Sequence, residues 1–226
     1  MAELMQTLRE IKALQKRPDG LFGSFMTRPV SHVIAYISMK MRLSPNAVSF
    51  LSFVFCVAAI AVLYAWFSLY ACWVAAALLW WTGGILDAAD GDLARYTKSG
   101  SPFGGWFDSF LDRMKEMLIF AAFGYLAFKQ YGNELYLLLG FASLFSNVIS
   151  GWISDTKKLF ITERTPEIQF SSKYSFGMVD TRDFFVILSL FAFDLRIALF
   201  VYSTVFMLLL CAQAAMFMRK YGKRKQ

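Results

Sequence analysis

The chain has 226 residues, of which 58% are hydrophobic and 17% charged, with 24 phenylalanines. That balance excludes an intrinsically disordered polymer and is too apolar for an ordinary soluble domain. The formal charge of +7 falls in clusters between long apolar runs, which is a membrane-topology pattern and not a nucleic-acid-binding one.

The N-terminus is amphipathic and mixed in charge, so no cleavable signal peptide is expected. Residues 3–15 place Leu4, Leu8, Ile11 and Leu14 at helical spacing, with Arg9 and Lys12 among them. Pro18, Asp19 and Gly20 predict a turn. A second amphipathic helix starts at Pro29, with Val30, Val33, Ile34, Ile37 and Met41 on one face and Arg28, Lys40 and Arg42 at its flanks. A helix of this kind is expected to lie in the membrane interface, its basic groups near anionic lipid.

Ser44-Pro45-Asn46 is a cap residue followed by proline, a helix-start signal. A hydrocarbon core of about 30 Å takes roughly 20 apolar residues per helix. The chain has room for six spans, near 44–65, 69–86, 106–128, 135–153, 184–193 and 197–218, the fifth short unless it begins at Val179. The expectation is an all-α integral membrane protein. Residues 1–43 form juxtamembrane interfacial helices, and residues 44–226 form one six-helix transmembrane catalytic domain without a soluble appendage. Cys56, Cys72 and Cys211 sit in apolar runs without metal or redox spacing and are expected to be packing residues.

Six spans put both termini on one side. That side carries the N-terminal cluster, Arg95, Lys98, Lys157, Lys158, Arg164, Lys173, Arg182 and the basic tail from Arg219 to Lys225, against Lys129 and Arg196 on the other. The excess of Lys and Arg predicts that both termini are cytoplasmic.

Between Asp87 and Asp112 the chain reads DAADGDLARYTKSGSPFGGWFDSFLD. As a pattern this is D-x-x-D-G-x-x-A-R, eight residues, then G-x-x-x-D-x-x-x-D. Carboxylates at membrane depth are costly and are expected only where they bind something or line a wet cavity. Asp108 and Asp112 are four apart and share a helix face, while Asp87 and Asp90 close the preceding span, so two adjacent helices can present four carboxylates to one point. Oxygen ligands without His or Cys suit Mg²⁺, Mn²⁺ or Ca²⁺. Gly91 and Gly104 leave room for a ligand near the backbone, and Arg95 offers a guanidinium fork for phosphate oxygens. Carboxylates, metal and arginine together point to phosphoryl-group chemistry.

These residues resemble the CDP-alcohol phosphotransferases, integral membrane enzymes of phospholipid and related phosphodiester synthesis. Every fixed position of that family's motif is present: Asp87, Asp90, Gly91, Ala94, Arg95, Gly104, Asp108 and Asp112. The resemblance implies a six-helix transmembrane fold, a homodimer and a cytosol-facing active site among membrane lipids. It implies Mg²⁺ or Mn²⁺, two ions, on Asp87, Asp90 and Asp108, with Asp112 a further ligand or the general base that deprotonates the acceptor alcohol. A CDP-linked donor would lose CMP, with Gly91, Ala94 and Gly104 leaving space for the nucleotide, Arg95 holding phosphate, and Pro45 and Asn46 near the nucleotide. The stretches GGWFDSFLDR and RPDGLFGSFMTRPVSHVIAYISMKMRLSPNAVS are similar to the branch containing di-myo-inositol phosphate phosphate synthase domains, which use CDP-inositol. Glu116 stands where several relatives have Asp, and no fused cytidylyltransferase domain is expected, so the donor is made elsewhere. The other reading within the family is a phosphatidyl-type synthase using CDP-diacylglycerol.

Arg113 and Arg182 are candidates for an acceptor anion site, Arg182 with the alternative of pairing with Asp183. The remaining basic residues of that loop read as topology charges and headgroup contacts. Asn147 and Ser150 are expected to make helix–helix hydrogen bonds, and His32 is not expected to be catalytic. From another class, a divalent cation transporter would also carry intramembrane acids. Transport sites, however, sit near the midplane on broken helices, often in related repeats, whereas these acids gather at one mouth and no repeat is visible.

Overall fold

The computed structural model describes residues 2–15, 19–20, 23–160, 168–169, 174–176 and 178–221. They are almost wholly helical: α1 (Ala2–Ala13), α2 (Arg28–Lys40), α3 (Pro45–Ala65), α4 (Tyr70–Thr97), α5 (Pro102–Tyr131), α6 (Leu135–Phe160), α7 (Met178–Phe191), α8 (Arg196–Phe200) and α9 (Phe206–Tyr221). Single π-helical turns, Gly23–Thr27 and Val201–Val205, precede α2 and α9. Three segments of two or three residues pair as strands: Asp19–Gly20 runs parallel to Tyr174–Phe176, and Ile168–Gln169 antiparallel to it. Pro18, Arg164, Lys173 and the tail residues Lys223, Arg224 and Lys225 lie outside the described residues, as do the side chains of Lys157 and Lys158.

The chain divides into two compact units, Met1–Lys115 with Thr165–Phe193, and Glu116–Arg164 with Asp194–Gln226. In the first, α4 is the hub, packed by α1, α2, α3 and α7. Ile11, Ala35, Val48, Leu86, Ala89 and Leu93 form the core where α1, α2 and α3 meet it. The Ser44 hydroxyl caps α3 by accepting from the Ala47 amide at 3.2 Å, as the Ser-Pro signal predicts. The same signal recurs at Ser101-Pro102, where the Ser101 hydroxyl accepts from the Gly104 amide at 3.0 Å. Consequently α5 starts ahead of residue 106, and α4 continues past residue 86 to Thr97, where Lys98 ends it in a left-handed conformation (φ 53°). The first half of the motif is therefore the last turns of a long helix.

The outer faces of α2 and α3 are apolar, and several of their inward residues are polar. On α2 the inward residues are Ser31, His32, Ala35 and Ser38, while Val30, Val33, Ile37 and Met41 are exposed. On α3, Ser49 and Ser52 are buried while Phe50, Leu51, Val54 and Val57 face outward. In water such continuous apolar surface would mark an unmet interface; in lipid it is the solvated face. Three helices among the described residues are long and apolar enough to cross a membrane, Pro45–Ala65, Tyr70–Thr97 and Leu135–Ile153. Helix α5 spans 30 residues, yet carries Asp108, Asp112, Arg113, Lys115 and Glu116 in its first half.

In the second unit α6 packs against α8 and α9. Two serines of α6 bond its neighbours: Ser143 Oγ donates to the Leu199 carbonyl of α8 at 3.2 Å and Ser146 Oγ to that of Tyr202, in the π-helical turn, at 3.1 Å. Asn147, expected in that role, instead donates to the Ser143 carbonyl of its own helix at 2.9 Å. At the start of α8, Arg196 bonds Asp194 at 2.8–3.1 Å and holds its carboxyl below the ordinary carboxylate range, and its guanidinium lies 4.6 Å from the centre of the Tyr131 ring.

Where α5 meets α6, Gly124 and Gly140 face each other so closely that a Cβ on Gly140 would lie 2.7 Å from the Gly124 Cα. That is the close approach small residues permit between membrane helices. Gly140→Leu is expected to lower stability by about 1–3 kcal/mol, the usual cost of overpacking, measured as a fall in thermal midpoint in detergent. Gly105→Ala, where a Cβ meets nothing within 4 Å, should leave the midpoint unchanged or slightly raised.

Candidate active site

Helical spacing sorts the end of α4 into two faces. Asp87, Asp90, Gly91 and Ala94 recur at three and four residues and lie along one stripe, and Asp92 projects from the opposite side. On the first stripe, one carboxylate oxygen from each of Asp87, Asp90 and Asp108 lies within 4.8 Å of the other two. Ligand oxygens around a hard divalent ion, each about 2.0–2.6 Å from it, are separated by no more than about 4–5 Å, so the trio has the size and chemistry of such a site. Asp90 is 5% exposed and accepts a short hydrogen bond from the Ser49 hydroxyl of α3.

Asp112, the fourth aspartate of the motif, is not in that trio. Its Oδ1 lies 2.7 Å from the Lys115 ammonium, one turn further along α5. Lys115 Nζ also donates to Asp87 Oδ1 at 2.5 Å and to Ser52 Oγ at 3.3 Å. Asp87 thus faces both the trio and the lysine.

On the opposite side of α4 the Asp92 side chain is fully buried. It accepts from Arg28 at 3.1 and 3.2 Å, from Ser31 Oγ at 3.1 Å and from Arg95 at 2.6 Å, with His32 Nε2 at 3.7 Å. Arg95 folds back over Gly91, where a Cβ would come within 3.2 Å of its guanidinium. Across the site, the Asn46 side chain lies over Gly104, 3.0 Å from where a Cβ would stand. Pro45, the first residue of α3, and Ala94, one turn after Asp90, are both half-buried. The structure therefore brings together Asp87, Asp90 and Asp108, sets Arg95 against Gly91 and Asn46 against Gly104, and gives Asp112 to Lys115.

The two arginines proposed for an acceptor anion occupy different settings. Arg113 follows Asp112 on α5 and is half-buried. Arg182 on α7 is 5% exposed and pairs with Asp183 at 3.0 and 3.4 Å, the arrangement foreseen as its alternative. Asp183 also accepts from Trp80 Nε1 at 3.3 Å. A small cleft lined by Met26, Thr27, Trp81, Gly84 and Asp183 opens there, one turn along α4 from Asp87. The Trp81 indole N–H is buried beside it without a hydrogen-bond partner.

Lys115, Asp92, Arg28 and Ser49 are the residues that reading the motif alone passes over. Two of them carried a signal: Asp112–Lys115 and Asp92–Arg95 stand three apart on helices, the spacing of ion-pair neighbours. Nothing in the apolar run around Ser49 singled it out.

A carboxylate trio beside a guanidinium, on the ends of helices sheathed in apolar side chains, is the equipment of metal-assisted phosphoryl transfer in a membrane protein. The sequence profile of the CDP-alcohol phosphatidyltransferase family matches residues 42–221, and the chain belongs to that family. It is similar to an uncharacterized protein of Aquifex aeolicus, 38% identical over 74 residues, 33% of this chain and 37% of that protein. It is also similar to a bifunctional IPC transferase and DIPP synthase of Archaeoglobus fulgidus, 30% identical over 128 residues, 57% of this chain and 25% of that protein. The chain thus matches well under half the length of either relative.

Asp92 links α2 to the motif helix through charges that have left water, and removing one partner of such a set leaves the others uncompensated. Asp92→Ala is expected to cost roughly 3–5 kcal/mol and to loosen α2. The checks are a lower unfolding midpoint and faster amide exchange over residues 28–40. Unchanged exchange there would show that the cluster does not hold the helix.

Proposed function

We propose that the protein is a CDP-alcohol phosphotransferase that moves a phospho-alcohol group from a CDP-linked donor to the hydroxyl of an acceptor alcohol, with release of CMP. The observation that carries this reading is the 4.8 Å trio of Asp87, Asp90 and Asp108 on the same helix ends as Arg95, within a chain that belongs to the family. The trio would hold Mg²⁺ or Mn²⁺, which, when bound, neutralises diphosphate charge and draws electron density from the reacting phosphorus. Arg95 binds a phosphate oxygen, and the bare backbone at Gly91 and Gly104, with Ala94, Pro45 and Asn46 around them, accommodates the nucleotide. Asp112 acts as general base: it takes the proton of the acceptor hydroxyl as that oxygen bonds to the phosphorus bearing the transferred alcohol. The bond from that phosphorus to the bridging oxygen breaks, and CMP departs with the electron pair.

The second ion of the family-type expectation would need Asp87 and Asp112, which meet at Lys115. For the acceptor, the cleft beside Trp81 and Asp183 offers a donor and an acceptor one turn from Asp87; Arg113 remains a candidate for an acceptor anion, and Arg182 is engaged by Asp183. The Archaeoglobus relative, whose name includes a DIPP synthase, supports an inositol-type substrate; CDP-diacylglycerol is the other donor to be tested.

The same reading makes the protein integral to the membrane, with six spans following interfacial helices, both termini and the site cytoplasmic, and the chain a homodimer among membrane lipids. The outward apolar face of α2 and the basic residues flanking it support the interfacial placement.

The test is CMP release by the purified protein with Mg²⁺ or Mn²⁺. CDP-diacylglycerol and CDP-inositol are each paired with inositol, inositol phosphate, glycerol phosphate and serine. One pair should yield CMP, and EDTA or Asp108→Ala should abolish it. Absence of both CMP release and CDP binding would defeat the assignment. Asp112→Asn is expected to cut turnover at least 100-fold, the lower range for loss of a general base, while metal-dependent donor binding persists; near-normal turnover would remove Asp112 from that role.

A further inference from the structure

We infer that Lys115 is a resident cation of the centre: its ammonium fills the position between Asp87 and Asp112 that a second metal ion would otherwise take, so each chain binds one divalent ion. The inference rests on the metal-centre reading above and concerns how many ions that centre takes.

Three oxygens surround Nζ: the ammonium donates to Asp87 Oδ1 at 2.5 Å and to Ser52 Oγ at 3.3 Å, and it makes an ion pair with Asp112 Oδ1 at 2.7 Å. Lys115 is 5% exposed, and a lysine charge so far from water persists only where carboxylates compensate it. These oxygens come from three helices, α3, α4 and α5, so packing on three sides fixes the position.

A divalent ion bridging Asp87 and Asp112 would lie between the same two carboxylates as the ammonium. Two cations held there in a low-dielectric interior repel strongly, so ammonium and ion are alternatives at that place. Asp90 and Asp108 form the trio with Asp87, whose oxygens stand close enough together to hold one ion.

A fixed ammonium also holds Asp112 in place before any ion arrives.

The deciding experiment is a Mn²⁺ titration of the full-length protein in detergent micelles, with CDP present, followed by electron paramagnetic resonance. The wild type should bind one Mn²⁺ per chain and give the six-line spectrum of an isolated ion, and Asp90→Asn should lose it. Lys115→Met should bind two, with the spectrum broadened by exchange between neighbouring ions, while Lys115→Arg, which keeps the charge, should stay at one. Two Mn²⁺ per wild-type chain would overturn the inference and leave the metal-dependent transferase reading standing. A folded Lys115→Met that binds only one would also overturn it. No Mn²⁺ bound to the wild type would overturn both. If Lys115→Met fails to fold, the wild-type count decides alone.

Discussion

Compensation of buried carboxylate charge is the constraint on which the rest of the first unit depends. An uncompensated carboxylate in an apolar bundle costs several kcal/mol after all relaxation, and here five aspartates fall within the ends of two helices. The neighbouring elements are placed where they can answer that charge. Helix α2 brings Arg28 and Ser31 to Asp92, α3 brings Ser49 to Asp90 and Ser52 to the lysine, and α5 brings Lys115 to Asp87. Beside the apolar core, serines and charged side chains are turned inward in this unit.

The two faces of α4 divide the labour. One face carries Asp87 and Asp90, which converge with Asp108 within 4.8 Å. The other face carries Asp92, saturated by two guanidinium groups and a hydroxyl. Arg95 spans both, anchored at Asp92 and lying across Gly91 on the reacting side. A side chain at residue 91 would push that guanidinium away, which gives the glycine a steric reason beyond the approach of a nucleotide. An arginine anchored in this way loses less freedom when it binds phosphate than one free to rotate.

Much of this was legible in the residues. The helical class, the amphipathic stretch around Val33 and Ile37, the start of α3 at Ser44-Pro45 and the convergence of Asp87, Asp90 and Asp108 all follow from periodicity, caps and spacing. Helix boundaries near the motif did not. Hydropathy falls where Asp87 begins, yet α4 continues to Thr97 because its acidic residues remain inside the packing and need no loop to reach water. The count of membrane spans also exceeds what length and apolarity establish, since α5 carries five charged residues in its first half and α7 and α9 have only 14 and 16 residues. The hidden part of the site was the partner list. Spacing tells which carboxylates share a face, but Arg28 stands 64 residues from Asp92 and Ser49 stands 41 from Asp90, and pairings at that distance exist only once the helices have packed.

That dependence on packing bears on where the functional unit begins. The family profile starts at residue 42, after α2 has ended. Yet α2 supplies two of the groups that saturate Asp92, and its Ala35 joins the core shared with Leu86, Ala89 and Leu93 of α4. Through Asp92 the same helix bears on Arg95, the guanidinium set beside the carboxylate trio. A segment that reads by itself as a membrane-surface helix is thus a structural support of the site, its outer face apolar and its inner face committed to a buried charge. Charge compensation adds to hydrophobic contact in tying it there: α2 turns Ser31 and His32 toward the carboxylate and leaves Val30, Val33 and Ile37 outside.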